Sequence, residues 1–101
     1  MILTIQKADD VLTGVLSGRL DTPSAIEFEK EMAPLLENAD KKIILDFAAL
    51  EYISSSGLRR LLTLRKAVES KGGRLEIRHL SSELRKIFTI TGFIALFDIK
   101  D

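Results

Sequence analysis

The sequence predicts one α/β domain over residues 1–101, with a mixed β-sheet and helices packed against it, in the order β-β-α-β-α-β-α-β. Three observations predict it. Two short strand-like runs, Ile2–Lys7 and Val11–Ser17, are separated by little more than Asp9-Asp10, so they form an antiparallel hairpin. Beyond them, short apolar runs alternate with segments of helical periodicity, which calls for parallel crossovers. Cap and breaker residues stand at the boundaries between these segments.

Each element has its own warrant. In the first strand Ile2, Thr4 and Gln6 alternate with Leu3, Ile5 and Lys7. The second is VLTGVLS, and Gly18-Arg19-Leu20-Asp21 reads as a loop after it. Thr22 reads as an N-cap with Pro23 at the first helical position. Ile26, Phe28, Met32, Leu35, Leu36 and Ala39 then recur at helical spacing, predicting about four turns that end near Asn38. Ile43–Phe47 is a short apolar strand suited to a central position. After a short loop come three serines, Ser54, Ser55 and Ser56, and a helix over Gly57–Lys71. Its apolar stripe is Leu58, Leu61, Leu62, Ala67 and Val68. Gly72-Gly73 ends it. Leu75–Arg78 is the next strand. Ser81 or Ser82 caps a short helix to about Thr89 with Leu84, Ile87 and Phe88 inward, and Thr91-Gly92 breaks it. Phe93–Ile99 is a last helical turn followed by a strand or an extended end.

Composition narrows the function. Fifteen basic residues balance 15 acidic ones, so no global field attracts nucleic acid or an anionic membrane. Cysteine is absent and there is one histidine, His79, so no transition-metal site is expected. No run approaches ~20 apolar residues, and the N-terminus lacks a basic signal-peptide region. The expectation is a cytoplasmic domain with no membrane insertion. No phosphate-loop pattern is present, and no cofactor is expected.

Catalysis finds little support. A nucleophile elbow around Ser56 would need glycine where Ser54 stands. His79 has no orienting acid near it in sequence, so no catalytic residue is assigned. Asp46, at the end of an apolar strand, reads as a hydrogen-bonded structural carboxylate, and Asp21-Thr22 as a capping pair.

The serines have two readings: a cap with small neighbours, or a phosphorylation site. A phosphoserine carries about −1.5 to −2 charge, and a helix start offers it free N–H groups and a favourable dipole. Gly57 is expected to leave the preceding hydroxyl accessible. Arg59 or Arg60, one turn on, is placed to pair with a phosphate.

These residues carry a family resemblance. Val15–Ala25 (VLSGRLDTPSA), Ile44–Leu62 (ILDFAALEYISSSGLRRLL) and Ile90–Asp101 (ITGFIALFDIKD) resemble the STAS domain, most closely the free-standing bacterial anti-sigma factor antagonists. The resemblance implies a partner switch that regulates transcription. A GHKL-type serine kinase, itself the anti-sigma factor, phosphorylates the serine before the motif glycine. That serine is Ser56 here, with Ser55 as the alternate. The unphosphorylated antagonist binds the anti-sigma factor, phosphorylation ends the binding, and a PP2C-type phosphatase restores it. The implied binding surface is Gly18, Arg19, Asp21, Thr22, Ser54, Ser55, Ser56, Gly57, Arg59, Arg60 and Thr63. Ser54 stands where many antagonists carry aspartate. That departure keeps an alternative in view: a STAS accessory subunit of a lipid ABC transport complex.

Overall fold

The computed structural model describes residues 1–100. The expected domain limit and the last residue of the Ile90–Asp101 segment, Asp101, lie outside the described residues. Strands β1 (Ile2–Ala8) and β2 (Val11–Leu20) form the expected antiparallel hairpin, from Ile2 opposite Ser17 to Ala8 opposite Val11. Helices α1 (Thr22–Glu31) and α2 (Ala33–Glu37) lead to β3 (Lys42–Ile53). Next come α3 (Ser55–Lys71), β4 (Arg74–Arg78), α4 (Ser82–Ile90), a 3-10 turn at Phe93–Ala95, and β5 (Asp98–Lys100). The sheet runs β1-β2-β3-β4-β5, with every pair after the first parallel.

Because strand order follows chain order, right-handed crossovers bring every helix to the same face. The side chains agree. Leu12, Leu16, Ile43, Leu45, Phe47 and Ile77 are buried towards the helices, while Val11, Thr13 and Val15 on the other face are half-buried. Phe88 of α4 joins the two ends of this core, edge-on to Phe47 at 6.3 Å and to Phe97 at 6.0 Å. Full burial of one such side chain contributes about 1.5–3 kcal/mol, several times the few tenths that separate helix propensities, so packing on this face holds the helices. No described helix is long and apolar enough to cross a membrane.

Several boundaries differ from expectation. Gly18–Leu20 is strand, because the far half of β3 pairs with it: Gly18 with Leu50, Arg19 with Tyr52, Leu20 with Ile53. The loop expected before the serines is therefore the second half of β3. Two register shifts, after Asp46 and at Glu51, add residues to β3 and explain why its alternation is unreadable in sequence. The four-turn helix is broken at Met32. Pro34 has no N–H to donate to Lys30, and its ring clashes with that carbonyl. The cap of α1 is Asp21, one residue before Thr22. Its carboxylate accepts from the Ser24 N–H at 3.0 Å while the Ser24 hydroxyl accepts from the Asp21 N–H at 2.9 Å. In α3 the inward row is Leu58, Leu61, Leu64 and Val68, with Leu62 and Ala67 at its margin.

Candidate functional site

The site lies where β2 and β3 end and α1 and α3 begin. The Ser54 N–H donates to the Leu20 carbonyl at 2.8 Å, tying the two strand ends together. The Ser54 hydroxyl accepts from the Gly57 N–H at 3.1 Å and caps α3. Helix α3 thus begins at Ser55, two residues earlier than expected. Ser54 is 8% exposed, so its side chain positions the helix and offers no contact surface.

Gly57 does something other than expected. It is buried, and a Cβ there would stand 2.8 Å from Leu20 Cγ and 2.9 Å from Ile53 Cγ1. Its missing side chain lets α3 settle on the strand ends; it does not uncover Ser56. What this achieves is placement. Ser55 is exposed at the first helical position, and Ser56 is half-buried at the second. The Leu58 N–H bonds to the Ser54 carbonyl and the Gly57 N–H to the Ser54 hydroxyl, which leaves the Ser55 and Ser56 N–H groups without helical partners. The first turn contains no acid. A cation stands close by: Arg59 Nη2 reaches Ser56 Oγ at 3.5 Å. An anion on Ser56 would meet free N–H groups, the helix dipole and a guanidinium.

Of the remaining expected residues, Thr22 is exposed at the start of α1. Asp21 is committed to its cap; the Ser24 N–H, then the Ser24 hydroxyl, hold its carboxyl below the usual range. Gly18 adopts a φ of 91° beneath the Met1 backbone. Arg60 turns away from the serines towards Glu29 of α1, at 3.5 Å. The Thr63 hydroxyl donates to the Arg59 carbonyl at 3.2 Å, one turn further along. Arg19 lies over Tyr52, its Cζ 4.5 Å from the ring centroid. Sequence reading passed over Tyr52. The signal was the strand itself, had β3 been carried to Ile53.

A second cluster was also missed. Asp46 Oδ1 accepts from the Ala48 N–H at 2.9 Å and faces His79 Nδ1 at 2.9 Å. His79 therefore does have an acid beside it, 33 residues away in sequence, and its backbone is left-handed at φ 61°. Asp46 sits inside β3 at the first register shift, where its carboxylate ties down the irregular backbone. Burial would raise its pKa; the Ala48 N–H and His79 outweigh that and hold it low. Seven residues of strand, roughly 20 Å, separate it from Ile53 and the serines.

With this geometry in place, comparisons with known proteins are decisive. The STAS domain family model matches residues 3–101. The chain belongs to the STAS domain family. Two relatives are 33% identical. One, described as a candidate anti-sigma factor antagonist and named BtrV, is from Bordetella bronchiseptica; the match spans 98% of this chain and 85% of that protein. The other is the anti-sigma-B factor antagonist of Bacillus subtilis, matched over 93% of this chain and 84% of its own length. The fold is similar to that of the Bacillus antagonist SpoIIAA, solved both unphosphorylated and phosphorylated. TM-scores are 0.75 and 0.73 at 20% identity, over 99% of this chain and 88% and 92% of the solved chains.

Proposed function

We propose that this STAS domain is an anti-sigma factor antagonist whose docking is switched by phosphate on Ser56. Unphosphorylated, it binds an anti-sigma factor that is also a GHKL-type serine kinase. That kinase transfers the γ-phosphoryl of ATP to Ser56 Oγ, the hydroxyl proton leaves, and ADP departs. A PP2C-type phosphatase hydrolyses the ester and resets the switch. One observation carries the reading: a half-buried hydroxyl in the first turn of α3, with free N–H groups, no acid in that turn, and Arg59 within 3.5 Å. Phosphate there is tolerated by the fold and hostile to a docked partner, since it adds about −1.5 to −2 charge to the contact. The relatives named as antagonists, and a solved family member known in both phosphorylation states, support it.

The test is direct. Incubation with the cognate kinase and ATP, followed by mapping by mass spectrometry, is expected to place one phosphate on Ser56. Modification confined to Ser55 moves the switch by one residue. An unmodified chain favours the transport-accessory alternative.

A further inference from the structure

Arg19 and Tyr52 face each other across β2 and β3. The next residues, Leu20 and Ile53, are buried on the helix side, so Arg19 and Tyr52 project from the face without helices. The register shift at Glu51 sets Tyr52 in this position. Tyr52 is half-buried, and Cζ of the exposed Arg19 lies over its ring, 4.5 Å from the centroid. Arg60 and Arg78 each pair with a glutamate. Arg19 has no carboxylate within ion-pair reach among the described residues. It lies over the ring, and its charge reaches the Asp21 carboxylate, which is already held by Ser24.

We infer that Arg19 and Tyr52 together anchor a carboxylate-bearing segment of the partner. The inference rests on the anti-sigma factor reading above. A guanidinium held over a ring and outside any ion pair keeps N–H donors for bidentate capture of an aspartate or glutamate. The ring beside it supplies the rigid apolar contact typical of energetic anchors. The pair is one residue along each strand from Leu20 and Ile53, the side chains on which Gly57 rests. The pair stands at the same end of the sheet as the helix start that carries Ser56, on the opposite face. Phosphate on Ser56 adds negative charge at that end of the sheet, of the same sign as a carboxylate seated on Arg19.

Calorimetric titration with the purified cognate anti-sigma factor, at low and high salt, tests this. Tyr52→Ala is expected to raise Kd about 30-fold, the scale of an interface anchor. Arg19→Ala raises it about tenfold and flattens the salt dependence. Tyr52→Phe keeps the ring and binds like the parent. Thermal melts of each variant report folding, and Arg19→Ala, an exposed change, keeps the test decisive if Tyr52→Ala does not fold. Parental affinity and salt dependence in Arg19→Ala overturn the inference and leave the reading standing. Failure of the parent itself to bind overturns both. A self-dimer abolished by Tyr52→Ala, with anti-sigma factor binding intact, assigns the surface to a second copy and also overturns it.

Discussion

Helices α3 and α4 begin with the same cap and the same first residue, and differ in the two that follow. Ser54 and Ser81 each accept an N–H from three residues on, at 3.1 Å, and each is followed by another serine. In α4 the first turn contains Glu83, whose carboxylate accepts from the Ser82 hydroxyl at 3.4 Å and answers the helix dipole. In α3 the first turn has no acid, and Arg59 stands over Ser56. The third residue differs too: Leu84 fills the core, whereas Gly57 draws its helix onto Leu20 and Ile53. A serine cap is therefore common scaffolding. An unanswered dipole, a nearby cation and close seating on the strand ends single out one helix start for a regulatory anion.

The third residue gives the largest test. Gly57→Leu copies the α4 residue into α3 and drives a side chain into Leu20 and Ile53, which are 0% and 2% exposed and have no room to yield. A loss of about 3 kcal/mol or more is expected, at the upper end of overpacking costs. Leu84→Gly in α4 should lose as much by the opposite route, leaving a cavity and a flexible residue. Urea unfolding midpoints report both. A Gly57→Leu protein as stable as the parent would show that α3 does not rest on the strand ends, and the contrast between the two helix starts would collapse.

Much of this was legible beforehand. The hairpin, the strand-helix alternation and the left-handed Gly72 stop at φ 77° follow from local pattern. Pro34 was visible too, and its missing N–H was sufficient reason to split the second predicted element. The far half of β3 was not legible. Ala48, Ala49 and Glu51 are exposed, carry no strand pattern, and are extended because β2 pairs with their segment. The pairing of Asp46 with His79 depends on strand register across 33 residues, which no local period encodes. At the site, cap rules located the helix start. Which serine capped it, and that Gly57 faces inward, depended on Leu20 arriving from another strand.

The caps themselves give the middle-sized effect. Ser54→Ala should cost about 1–2 kcal/mol, because the Gly57 N–H it leaves unpaired is buried. Ser81→Ala should cost about 1 kcal/mol, since that cap is half-buried and water can replace it. Neither difference should vary with pH, as both caps are neutral. The Asp21 cap of α1 is the control. Its folded pKa lies below the usual 3.8, so the unfolded chain binds the proton more readily. Its contribution is present above that value and lost as pH falls through the folded one. Acid unfolding of Asp21→Ser should accordingly be less steep in that window than the parent's. Equal costs for Ser54→Ala and Ser81→Ala, followed by thermal melts at neutral pH, would mean burial does not distinguish the two starts.

The smallest effect is the one most specific to the switch. Ser56→Asp places a charge near free N–H groups, an unopposed dipole and Arg59, and should stabilise the fold by about 0.3–1 kcal/mol. Ser82→Asp makes the same chemical change in α4, but Glu83 is the adjacent residue and has already answered the dipole there. Like-charge repulsion then cancels the gain, and the variant should melt at or slightly below the parent temperature. The comparison needs low salt, because about 1 M salt shortens the screening length to roughly 3 Å and should erase the difference. If Ser56→Asp destabilises the protein while Ser82→Asp does not, the Ser56 hydroxyl is a structural group that resists charge, and the anion-ready character assigned to α3 is wrong.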